Sequence, residues 1–103
     1  MTSESHRNNL GTYEERLRIE SLGPHITRDM SEQFAEMIRE SISSGVIDIT
    51  NWTVDGVGAL LQACSEGNLR VTLKYENRYF MLSFHIPPQS IDTVAQSIIL
   101  GTL

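Results

Sequence analysis

The feature that most constrains this chain is the alternation of apolar and polar residues between Leu69 and Ile86. Leu69, Val71, Leu73 and Tyr75 alternate with Arg70, Thr72, Lys74 and Glu76. Phe80, Leu82, Phe84 and Ile86 then alternate with Tyr79, Met81, Ser83 and His85. In a strand, successive side chains point to opposite faces, so each run has one apolar and one polar face. Two such runs in succession predict an antiparallel hairpin with strands 69–76 and 79–86. An Asn77-Arg78 loop pairs Tyr75 with Phe80, Leu73 with Leu82, Val71 with Phe84 and Leu69 with Ile86. The same register sets Lys74 opposite Met81, Thr72 opposite Ser83 and Arg70 opposite His85, and a loop from Glu76 to Tyr79 leaves it unchanged. A one-residue slip would oppose every apolar residue to a polar one and is excluded.

An isolated hairpin is marginal in water, so this apolar face needs helices across it. Two helices are legible nearby. From Thr27 to Ser44, Met30, Phe34, Met37, Ile38 and Ile42 form a stripe at helical spacing, with Asp29 and Glu32 in the first turn and Gly45 as a left-handed stop. From Thr53 to Glu66, Thr53 is placed to cap, and Val54, Val57, Leu61 and Cys64 form a stripe widened by Ala59, Leu60 and Ala63. Gly56 and Gly58 each cost about 1 kcal/mol in that helix, which close packing offsets more readily than a phosphate-binding role. Between the helices, Val46 to Thr50 reads as a strand with Ile47 and Ile49 on one face, followed by Trp52 lidding the core edge. After Pro87-Pro88, Ser90 is placed to cap a last helix with Ile91, Val94, Ala95, Ile98 and Ile99 on one side and almost no charge.

The N-terminal part is less determinate. Thr12-Tyr13-Glu14-Glu15 is a capping box and Gly23-Pro24 a helix stop, but Arg16-Leu17-Arg18-Ile19-Glu20 alternates with period two. The alternation favours a short strand, because a helix would set Leu17 and Ile19 on different faces. Met1 to Gly11 reads as a mobile polar tail, leaving 12–103 as a single domain. The expected fold is a small α+β domain: a mixed sheet of three or four strands, including the hairpin, packed by about three helices.

At 103 residues and 40% hydrophobic content, the chain supports one modest core. No apolar run approaches a membrane span and the N-terminus lacks a signal core, so a soluble cytoplasmic protein with no membrane partner is expected. The single cysteine, Cys64, excludes an internal disulfide and reads as an inert buried thiol. His6, His25 and His85 have no ligand spacing, so no metal or other cofactor is expected. Ser83 and His85 lie two apart on one strand without an oxyanion site. Asp48 and Asp55 flank a strand-to-helix turn and read as capping groups rather than as an acid–base pair.

Two partial resemblances follow from these segments. Val46-Ile47-Asp48-Ile49-Thr50, then Val54-Asp55 with Gly58-Ala59-Leu60-Leu61, within the order strand–helix–strand–helix–strand over Ile19 to Leu73, resembles the STAS domain of anti-sigma-factor antagonists. In that family a serine opening the helix is phosphorylated to switch partner binding. Gly56 and Val57 occupy the matching stretch here, which implies a STAS-like regulatory domain without the switch. The β-α-β-β-α order from Val46 to Leu100 resembles part of an RNA-recognition fold, without its closing strand or aromatic-rich motif.

The chemistry points away from an enzyme and towards a regulatory or protein-interaction module that self-associates as a homodimer, or that binds another protein. The expected interface uses Ile91, Val94 and Ile98 of the last helix with Tyr79 and Met81 of the hairpin. The polar hairpin face, with Arg70, Lys74, Arg78, Tyr79 and His85, offers nucleic-acid binding as the alternative. A net charge of −5, from 13 acidic and 8 basic residues, disfavours it.

Overall fold

The computed structural model describes residues 13–41, 44–82 and 86–102. Among these residues, four α-helices and three strands follow in the order α1 (Tyr13–Leu22), α2 (Ser31–Ser41), β1 (Ser44–Asp48), α3 (Val54–Gly67), β2 (Arg70–Tyr75), β3 (Arg78–Leu82) and α4 (Ile91–Leu100), with short 3-10 turns at Gly23–His25, Arg28–Met30 and Pro88–Ser90. The sheet order is β1-β2-β3. β1 runs parallel to β2, with α3 as the crossover, and β2 pairs antiparallel with β3. This is the small mixed-sheet α+β fold that the patterning implies.

The core forms between one face of this sheet and the helices. Ile47, Val71 and Leu73 project inward to join Phe34 and Ile38 of α2, Val57, Leu60 and Leu61 of α3, and Ala95 and Ile98 of α4. α3 lies between α2 and α4 and is buried nearly throughout, which accounts for its all-round apolar sequence. Thr53 caps it by accepting the Gly56 N–H at 3.0 Å, and Asn68, at φ 53°, ends it in the left-handed region. The expected reason for Gly56 is the observed one: a Cβ there would stand 2.3 Å from the Gly23 carbonyl oxygen. Close approach of backbone offsets the helix-propensity cost.

The segment 13–22 corrects the preference for a strand. It is helical, with Ile19 buried and Leu17 left at 42% exposure, so the two need not share a face. What fixes it is tertiary contact. The indole N–H of Trp52 donates to the Glu20 carbonyl at 3.1 Å, and the Asp48 N–H donates to Glu20 Oε2 at 2.8 Å. Trp52 also packs on Phe34, with ring centroids 5.5 Å apart, and lies so close to Gly23 that no side chain fits there.

Three further boundaries differ. Arg28–Met30 is a 3-10 turn rather than the start of the α-helix, leaving Met30 exposed. Gly45 is not a helix stop but pairs with Val71 inside the sheet. Ser90 makes no capping side-chain bond. Ile42, the polar N-terminal tail and Ser83, Phe84 and His85 lie outside the described residues.

The hairpin keeps the predicted parity but not the predicted pairing. Tyr75 faces Arg78, Leu73 faces Phe80, Val71 faces Leu82, and Lys74 faces Tyr79. The turn is therefore Glu76-Asn77, displaced from Asn77-Arg78, with Glu76 at φ 56°. A shift of two in pairing leaves every residue on its original face, so alternation cannot detect it. The decisive contact comes from the β1–α3 turn: Thr50 Oγ1 accepts the Glu76 N–H at 2.9 Å and fixes which residues bend. Ile86 does not extend the described ladder; its N–H donates to the Ser65 hydroxyl.

Candidate functional site

The helices cover one face of the sheet, and no element among the described residues covers the other. Two cross-strand rows lie on it. Val46, Thr72 and Met81 form one, and Asp48, Lys74 and Tyr79 the other; Arg70 stands exposed beyond the first. Val46 is 40% exposed, Tyr79 59% and Met81 75%, so three of the large exposed apolar side chains share this face. Antiparallel and mixed sheets tolerate one solvated face, but it is normally polar. A Val, a Tyr and a Met standing clear of the helices form an apolar patch that needs a reason.

The charges on this face are largely spent locally. Lys74 Nζ lies 3.8 Å from Asp48 Oδ2. Asp48 Oδ1 accepts both the Thr50 hydroxyl, at 2.6 Å, and the Thr50 N–H, at 2.9 Å. The Thr50 hydroxyl bond holds the Asp48 carboxyl below its ordinary 3.8, aided by the Thr50 amide and the Lys74 charge against an opposing push from partial burial. Asp48 is thus a turn-binding carboxylate, as expected. Asp55 stands exposed in the first turn of α3. A hollow of about 230 Å³ does lie beside the turn, but its lining holds Asp48 and Glu20, each already accepting a backbone N–H, and not Asp55.

Arg78 departs from the basic surface expected of it. It stands opposite Tyr75, on the helix-covered side of the hairpin. Its guanidinium lies 5.4 Å from the Tyr75 ring centroid and 5.5 Å from that of Phe80, and Nη2 donates to the Ile98 carbonyl at 3.0 Å. It closes the C-terminal end of α4, where a cation complements the helix dipole. Ile91 and Ile98, expected at an interface, are buried in the core, and Val94 is half-buried against it. His85 lies outside the described residues. Of the residues singled out in the sequence, the fold therefore brings Arg70, Lys74, Tyr79 and Met81 together and sends Arg78, Ile91 and Ile98 elsewhere. Val46 was missed as a member of the face. Its parity with Asp48 carried the signal.

A second concavity, of about 320 Å³, lies between α3 and α4. Its polar groups serve one another: Arg28 pairs with Asp92 and donates to Gln62 Oε1 at 3.3 Å, and Gln62 Nε2 donates to Glu66 at 3.1 Å. This network ties the Arg28–Met30 turn to both helices. Cys64 is buried, which pushes its thiol up to about 12 and leaves no nucleophile at neutral pH. Among the described residues, no group of His, Cys, Asp and Glu is placed to hold a metal ion, and no helix is long and apolar enough to cross a membrane.

No protein-family model, curated protein or solved structure matches this chain. The STAS resemblance is weakened at its first element, since Ile19 lies in a helix rather than a strand. The RNA-recognition resemblance rests on a β-α-β-β-α order whose sheet has three strands, with β1 directly beside β2.

Proposed function

We propose that this protein is a non-enzymatic interaction module that self-associates as a homodimer through the β3 side of its sheet. The observation that carries this reading is the pair Tyr79 and Met81, which stand 59% and 75% exposed on β3, the outermost strand among the described residues. Burying such side chains contributes roughly 1.5–3 kcal/mol each, enough for a few of them to anchor an association. The last helix enters this reading differently from the original expectation. Its apolar stripe serves the core, and it contributes only its outer side, where Thr93, Gln96 and Leu100 stand exposed and the one charge, Asp92, is paired with Arg28. Nucleic-acid binding gains no comparable support. Lys74 is paired with Asp48 and Arg78 is turned to Ile98, so Arg70 alone remains as a basic group on the described face without a named ion pair.

Sedimentation equilibrium of the intact chain tests the proposal. The expected result is a concentration-dependent dimer whose dissociation constant rises about ten-fold or more in Met81→Lys or Tyr79→Lys, equivalent to about 1.4 kcal/mol. A monomer at every concentration overturns it.

A further inference from the structure

Among the described residues, β3 is the outermost strand of the sheet on one side, with β2 its partner on the other. The Lys74 carbonyl accepts the Ile49 N–H at 2.8 Å, so the backbone groups of Lys74 face β1. Alternation then turns those of Leu73 and Tyr75 towards β3, where Phe80 and Arg78 are their direct partners. Tyr79 and Met81 are therefore the β3 residues whose N–H and C=O point away from β2. Among the described residues, no strand lies beyond them.

We infer that β3 pairs antiparallel with β3 of a second copy, about a two-fold axis at Phe80, so that Tyr79 of each protomer faces Met81 of the other. The inference rests on the self-association reading above and specifies its geometry. The outward groups sit at positions 79 and 81, symmetric about 80, so one two-fold operation satisfies both residues of both copies in hydrogen-bonded pairs. Position 80 becomes the non-hydrogen-bonded pair between them. The same operation places each exposed Met81 beside an exposed Tyr79 ring, a favourable sulfur–aromatic match.

Charge favours a second copy as the occupant. The chain carries −5 overall, yet β3 has a single charge, Arg78, turned inward to the Ile98 carbonyl. That bond seats the C-terminal end of α4 by the start of β3, and the one charge of that helix, the exposed Asp92 in its first turn, is paired with Arg28. No proline or outward lysine protects the strand, which leaves it open to pairing. Face-to-face stacking does less. Three strands about 4.8 Å apart and five residues at about 3.3 Å each present only about 240 Å², against about 800 Å² per partner in a stable complex. Edge pairing joins the described three-stranded sheets of two copies into one of six strands.

Cysteine cross-linking reads the register. Directly opposed Cα atoms lie about 4.5–5.5 Å apart, within disulfide reach, whereas diagonal neighbours at about 7–8 Å lie beyond it. A mixture of Tyr79→Cys and Met81→Cys chains is expected to form a disulfide dimer on mild oxidation, and neither chain alone to do so. The buried Cys64 does not compete. Met81→Pro gives an independent test, because it removes an outward N–H and no bond to β2; loss of the sedimenting dimer with an unchanged circular dichroism spectrum is expected. A wild-type dimer whose variants fail to cross-link as a mixture, or that survives Met81→Pro, overturns edge pairing and leaves self-association standing. Either cysteine chain cross-linking alone as fast as the mixture overturns the register. A wild-type monomer, including one that takes up an extended peptide of another protein on β3, overturns both.

Discussion

The N–H of Glu76 donates to Thr50 Oγ1 at 2.9 Å, joining the hairpin turn to the β1–α3 turn. The same hydroxyl donates to Asp48 Oδ1, so one side chain serves two turns. Thr50→Val keeps the shape but removes both bonds and leaves the Glu76 amide without its acceptor. The expected loss is about 1–3 kcal/mol in urea unfolding. Thr50→Ser is expected to restore most of it, and equal losses in the two variants would show that the hydroxyl does not matter.

Gly23 and Gly56 form a close backbone approach under Trp52. A Cβ on Gly56 would meet the Gly23 carbonyl oxygen at 2.3 Å, and one on Gly23 would fall within the Trp52 ring. Neither neighbour can yield cheaply. Gly56→Ala and Gly23→Ala are each expected to destabilise by about 1–3 kcal/mol, although Ala is ordinarily the better helix former at position 56. Gly67→Ala, whose close neighbours are the flexible Arg39 and Leu69 side chains, is expected to cost less. Thermal melts of the three variants check the order.

Asp48 links stability to pH. Its folded carboxyl is held below 3.8, so it contributes stability above that pH and loses it as pH falls through the folded value. Asp48→Asn is expected to be less stable than wild type at pH 7, with the gap closing below about pH 3.8. Urea titrations at pH 7 and in acid measure this. A gap that widens in acid would reverse the sign.

Arg78 is a structural cation. Truncation to Ala removes the bond to the Ile98 carbonyl and the cover over Tyr75 and Phe80. A loss of about 1–2 kcal/mol is expected, with fraying centred on the last turn of α4 and detectable by amide exchange. Unchanged protection at that turn would argue against the capping role.

Cys64 is expected to resist thiol reagents at pH 8 in the folded protein and to react promptly in urea, since burial holds its thiol up at about 12. Reaction at equal rates in both states would contradict the burial.

Much of the fold was legible because it depends on short periods. Alternation in 69–82 decided which hairpin residues enter the core, and the 3.6-residue stripe of Phe34 and Ile38 decided the inner face of α2. The same parity placed Arg70, Lys74, Tyr79 and Met81 on the outer face. Three things escaped, the last of them the hairpin register. The segment 13–22 has almost no helical amphipathicity, with Leu17 left to solvent, so its helix is chosen by the contacts of Glu20 with Trp52 and Asp48. The apolar stripe of α4 could not say whether it met its own core or a second chain.

The hairpin register shows the division most clearly. The sequence by itself determined the face of each residue, because side-chain direction repeats every two positions and needs no partner. It left undetermined which residues lie opposite one another, because shifting the pairing by two preserves that pattern. Only the tertiary structure chose Glu76-Asn77 as the turn, by placing the Thr50 hydroxyl, 26 residues away, where it accepts the Glu76 N–H. In doing so it drew Arg78 out of the turn into β3, where it donates to the Ile98 carbonyl beneath α4.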